Sequence, residues 1–113
     1  MRWVELDQGQ VHEHGSTGLT MLEAARLTTA GEFRAHVAWV APGGQLGRHP
    51  TRLWQLFCVV SGSGWVAGED GKQQPIDAGQ AALWAPGESH ESGSSTGMVV
   101  VIVQSSEPLP YGG

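Results

Sequence analysis

Apolar and polar positions along this chain alternate in short runs, and turn residues break the runs roughly every ten residues. In a strand such alternation sends successive side chains to opposite faces. The strongest run is 53–60, and 33–40 is a second, closed by Ala41, Pro42, Gly43 and Gly44. Residues 2–6, 80–84 and 98–104 predict further strands. Ser61, Gly62, Ser63 and Gly64 predict a hairpin turn, from which Trp65, Val66 and Ala67 return. Turns are predicted at Glu69 to Lys72, around Asp70-Gly71, and at Pro86-Gly87, with a loop over 92–97. Residues 8–17 are polar and read as irregular. Residues 19–28 are ambiguous, because Met21 to Leu27 favour helix by propensity yet could pair as a strand. Many short strands without a series of helices predict an all-β sandwich or barrel, and a jelly-roll closure would remove the exposed edges.

The 113 residues predict one domain, with a barrel core over 17–105 and a loosely held C-terminal tail over 106–113. A net charge of -5 and the absence of any Lys/Arg cluster argue against a nucleic-acid partner. The longest apolar run, Met98 to Val103, is too short to span a bilayer, and the first residues do not make a signal peptide. With Cys58 as the sole cysteine, a disulfide framework is excluded and a cytoplasmic setting is expected. Cys58 sits in an apolar run and reads as a buried, inert thiol.

Two segments carry candidate chemistry. The first holds Gly44, His49, Thr51, Gln55 and Gly62, and the second Gly79, Pro86, Gly87 and His90. Their order and separation resemble the paired motifs of the cupin family, and the two segments with their spacer cover about half the chain. The resemblance implies a cupin-type jelly-roll β-barrel with a metal site near His49 and His90. Thr51 stands where that family's second histidine would be. Gln55 stands in place of its glutamate, and Ser94 at a position where it has asparagine.

Alternation puts Thr51, Leu53, Gln55, Phe57 and Val59 on one face. If that face looks inward, His49, Gln55 and His90 form a three-point cluster, with Thr51, Leu53, Phe57 and Ser92 as pocket lining. The imidazoles could hold a divalent transition metal such as zinc, nickel, copper or iron. Gln55 offers a neutral carbonyl oxygen that compensates none of the cation's charge, so such a site would be weak. The same groups can equally form a metal-free polar network that reads a small polar molecule. His12 and His14 have metal-like spacing in a polar arm, and His36 reads as a surface or core-edge residue. Glu88 belongs to a turn, and Glu91 faces away from His90. Trp39 and Trp84, with Phe57, could wall the pocket.

Trp54, Leu56, Cys58 and Val60 make the opposite face of the 53–60 strand apolar too, which predicts a homodimer covering it. The functional expectation is a small-molecule-binding protein with an atypical metal site. The alternatives are a metal-dependent oxygenase or isomerase and a metal-free histidine acid–base catalyst.

Overall fold

In the computed structural model, which describes residues 1–110, eight strands follow one another. They are β1 Gln8–Gln10, β2 Thr17–Leu27, β3 Phe33–Pro50, β4 Trp54–Ala67, β5 Gln74–Asp77, β6 Ala81–Trp84, β7 Ser89–Gly93 and β8 Met98–Ser105. A 3-10 turn, Glu13–Gly15, precedes β2. No helix among the described residues is long and apolar enough to cross a membrane.

The two long strands, β3 and β4, build the barrel. The first half of each pairs with β8, and the second half of each pairs with β7. The hydrogen-bonded circuit β3–β8–β4–β7 therefore closes on itself, which leaves no free edge within it. β2 and β1 extend the circuit beyond β3, while β5 and β6 pair along β4. This is the jelly-roll barrel that the short-strand pattern predicts.

The predicted hairpin at 61–64 is wrong. β4 passes straight through it, with a register shift between Val59 and Ser61 and a left-handed φ of 79° at Gly62. A side chain at Gly62 would run into the Gly97 carbonyl, so the glycine serves a bend against a neighbouring strand. Turn-forming residues are also what a barrel corner needs, and sequence alone does not separate the two uses. For the same reason β3 continues beyond 41–44, where a stop was expected. Residues 2–6 form no strand. The first strand is β1, inside the stretch read as irregular. The ambiguous 19–28 segment resolves as β2, since pairing with β3 overrides helix propensity.

The inward rows are clear. Gln55, Phe57 and Val59 of β4 are buried, as are Val100 and Ile102 of β8 and Ala38 and Val40 of β3. The outward residues Trp54, Leu56 and Cys58 are half-buried, as are Val99, Val101 and Val103. Burial pushes the Cys58 thiol up, which suits an inert side chain. Past β8, the Ser106 N–H donates to the Glu32 carbonyl at 2.9 Å. Of the tail expected to be loosely held, residues 111–113 lie outside the described residues.

Candidate polar cavity

A β-bulge brings the two histidines together. In the β3–β7 pairing Leu46 faces Ser92 and His49 faces His90, so three steps along β3 match two along β7. In an unbulged strand His49 would fall on the face opposite the buried Leu46. The extra residue turns it back inward beside His90, a use of bulges common next to functional sites. The ring centroids of His49 and His90 are 4.5 Å apart, tilted by 56°.

Their hydrogen bonds define what each ring offers. His49 Nδ1 donates to the Gly47 carbonyl at 2.7 Å, because a carbonyl can only accept. That leaves His49 Nε2 with a free lone pair. The Gln55 amide nitrogen donates to His90 Nε2 at 3.3 Å, and Gln55 Oε1 accepts from Gln104 Nε2 at 3.2 Å. Gln104 lies directly opposite Gln55 in the β4–β8 register. The three side chains thus form a directed relay from Gln104 through Gln55 to His90.

The N-terminal arm closes over this pair. The His14 ring stacks on His49 with centroids 3.9 Å apart and planes 9° from parallel. On the other side, Trp84 lies against His90 at 4.6 Å and meets Phe57 edge-on at 5.7 Å. A ladder of five rings therefore runs from the arm to the core. His14 adopts a left-handed φ of 57°, alone among described non-glycine residues. Gly47 lets the arm approach: a Cβ there would land on the His14 carbonyl oxygen. Its N–H donates to the Ser16 hydroxyl at 3.0 Å, fixing the arm to β3.

His90 is only 2 % exposed. Burial, and then the neighbouring His49, push its pKa down to about 4. The Glu88 backbone opposes this more weakly, and no hydrogen bond of sound geometry reaches His90 Nδ1. His90 is therefore neutral near pH 7. Between an ordinary unfolded value of about 6.5 and the folded one, the unfolded chain binds the extra proton. The contribution is complete above about pH 6.5 and is lost as pH falls toward 4. The urea midpoint should drop across this window in the natural chain and drop less in His90→Gln. Equal slopes in the two proteins would contradict the assignment.

A cavity of about 210 Å³ lies at these groups and is lined by His14, His49, Gln55, His90 and Gln104, with Arg34, His36 and Glu13 beside them. His49, Gln55 and His90, predicted to cluster, are brought together here. Thr51, Leu53, Phe57 and Ser92, predicted as lining, are buried but do not line it. The Thr51 hydroxyl is used locally, donating to the Leu53 carbonyl at 2.7 Å. Phe57 is packed beneath Trp84, and Ser92 lies in the paired middle of β7. Glu88 accepts from the Ala85 N–H in its turn, and Glu91 lies 3.6 Å from Arg48. His12 and Trp39 line a separate hollow. A larger open hollow of about 620 Å³ beside β5 and β6 carries Glu69, Asp70 and Glu88 but no imidazole.

Sequence reading passed over Arg34 and Gln104 and set His36 at the edge. The signal was available: all three are polar residues at inward positions of strands whose other inward positions are apolar.

Comparison with known structures follows the same line. The chain aligns with a cupin-2 domain from Rhodospirillum rubrum at a TM-score of 0.76 and 12% identity, covering 99% of this chain and 80% of that one. It aligns with the polyketide cyclase RemF from Streptomyces resistomycificus at a TM-score of 0.74 and 22% identity, over 97% and 82% of the two chains. An RmlC-like cupin from Shewanella frigidimarina gives 0.68 and 24%, over 80% and 78%. The fold is that of a cupin. No protein-family profile matches the sequence, and no curated protein does.

Two imidazoles at one cavity raise the question of a metal, and the donor set here answers poorly. Among the described residues no group of three or more His, Cys, Asp or Glu is placed to hold an ion. His14 and His49 cannot share one, because imidazole lone pairs lie in the ring plane and these planes are parallel. The Gln55 amide presents its nitrogen to His90, and turning its oxygen inward would require Gln104 to reverse as well. An ion between His49 and His90 would meet two imidazoles and at most one neutral oxygen, and Glu13, the carboxylate at the cavity, belongs to no group of three placed to hold it. The residues present do not fit a charge-compensated metal centre.

Proposed function

We propose that this cupin-fold protein binds a small polar organic molecule in the cavity between His49, His90 and Gln104, through neutral imidazole and amide groups. A divalent transition metal would be held there only weakly. The observation that carries this reading is the convergence of polar side chains on one space in a barrel whose other inward positions are largely apolar. His36, His49, Gln55, His90 and Gln104 line the same cavity. A concave space with a few convergent polar groups is where a small polar molecule gains most. The volume corresponds to roughly seven waters at about 30 Å³ each, so the ligand is small.

A second reading is proton transfer. With Nδ1 fixed by Gly47, His49 Nε2 is held as an acceptor toward its surroundings, as a general base requires. A metal-dependent reaction is the third reading, and it needs an ion on a donor set that lacks anionic charge.

A thermal-shift screen of small polyols, hydroxy acids and keto compounds tests the first reading. The expected result is a rise in Tm that survives EDTA and is lost in His49→Ala. A shift abolished by EDTA and restored by zinc or ferrous iron would replace it with the metal-dependent reading. Turnover that persists in EDTA and vanishes in His49→Ala would favour proton transfer.

A further inference from the structure

We propose that the outer face of the sheet formed by β2, β3, β8, β4 and β6 is the interface of a homodimer, with the two-fold axis running along β8.

A sheet with one wet side normally turns its polar residues outward. This sheet does the reverse. Over 19–27, 33–40, 54–60, 81–84 and 98–105 the charged residues are Glu23, Arg26 and Arg34. Residues paired across strands share a face, and the register sets all three on the inner side. Arg34 lines the cavity and pairs with Arg26, while Glu23 pairs with His36, which lines the cavity too. The outer side therefore carries no charge from β2 to β6.

No described segment covers this face. Leu27, Phe33 and Val60 stand exposed on it, and Leu56, Val99 and Val101 are half-buried. The chain's first residues do not supply the cover, since Trp3 is 91% exposed and Val4 74%. Strands about 4.8 Å apart, with same-face residues about 6.8 Å apart, give five strands and four rows an area of roughly 650 Å² before side-chain relief is counted. A stable complex takes about 800 Å² from each partner, so the face is of the right size.

The order of side chains on the face points to a second copy. One row runs Leu22, Val37, Val101, Cys58 and Ala81, and the next runs Ala25, Ala35, Val103, Leu56 and Leu83. The first row is larger on the β2–β3 side of β8, and the second is larger on the β4–β6 side. A two-fold axis along β8 lays the β2–β3 half of one copy on the β4–β6 half of the other, row upon row. Leu22 then meets the partner's Ala81, and Val37 the partner's Cys58. Ala25 meets the partner's Leu83, and Ala35 the partner's Leu56. A third row repeats the rule, because Trp39 falls opposite the partner's Ser61. Large side chains meet small ones throughout, which is the self-complementarity an isologous interface requires. Each chain has a net charge of -5, and a charge-free contact brings no like charges together.

The test is the mass of the natural chain by sedimentation equilibrium over a dilution series, where a dimer is expected. Val101→Glu sets two carboxylates against each other at the axis and should give a folded monomer, with its circular dichroism unchanged. Ala35→Leu overfills the space under the partner's Leu56 and should weaken the dimer at least about tenfold. Adding Leu56→Ala to Ala35→Leu should restore most of that loss. Should Val101→Glu fail to fold, this exchange of sizes still decides, because it introduces no charge. A natural chain that is monomeric at every concentration overturns the proposal, and if that monomer binds phosphatidylcholine vesicles the face is a lipid surface instead. A dimer that Val101→Glu leaves intact has its interface elsewhere. A dimer that the double exchange does not restore has no axis along β8.

Discussion

Gln55→Glu is expected to raise zinc affinity by about a hundredfold or more, since even partners outside the coordination sphere change metal affinity by 10- to 100-fold. The natural side chain meets His90 through its amide nitrogen, a donor that no cation can use. Glutamate replaces that donor with an anionic oxygen at nearly the same place, supplying the charge the two imidazoles lack. The substitution also has a readout without metal. A carboxylate beside the ring favours imidazolium, so His90 should titrate well above its natural value of about 4. Calorimetry with zinc and proton-detected titration of the ring measure the two effects separately. If zinc affinity stays the same and His90 does not move, Gln55 does not face His90 in solution, and the cluster is lost as a functional unit.

The second large effect is expected at Gly47. Gly47→Ala puts a methyl group onto the His14 carbonyl oxygen, with backbone on both sides and no flexible side chain to yield. Either the arm detaches or β3 shifts, at a cost of about 3 kcal/mol, the upper part of the range for overpacking. Detachment breaks the Ser16 hydrogen bond and the His14–His49 stack together. Urea unfolding should show the loss, and protease cleavage between residues 8 and 16 should quicken. A variant with unchanged midpoint and unchanged cleavage would mean that the arm is not held at Gly47. Ser16→Ala, which removes only the hydrogen bond, should do the same to a smaller degree.

The sequence carried the barrel because period-two patterning survives in its central strands. Gln55, Phe57 and Val59 face inward as their alternation predicts, and Met98 to Val103 forms the closing strand. Strand ends were harder to read, because Gly62 and the 41–44 segment serve as corners where turns were expected. Half of the site was legible for the same local reason: Gln55 lies in a regular strand, and His49 and His90 sit in recognisable segments. The remainder depends on contacts between distant parts of the chain. Only β3–β8 pairing puts Arg34 level with Gln104, and only the clasp at Gly47 puts His14 over His49. Thr51 and Phe57 were on the inward face, yet inward does not mean lining: one spends its hydroxyl on Leu53 and the other fills the core below. The bulge between Leu46 and His49 has no local signature beyond Gly47, although it decides which way His49 faces.

The position of β8 bears on how the chain acquires its structure during synthesis. Of the eight strands it is synthesised last, yet it lies between β3 and β4 and bonds to both. Until it emerges, the first halves of these strands face one another across a gap, with Ala38, Val40, Phe57 and Val59 uncovered on the inner side. Partial barrels with open edges and exposed apolar rows are the species that invite mispairing and chaperone capture. The Arg34–Gln104–Gln55 row cannot assemble before that moment either. The polar cavity and the barrel therefore arise in one late step, and a nascent chain halted before Met98 has neither.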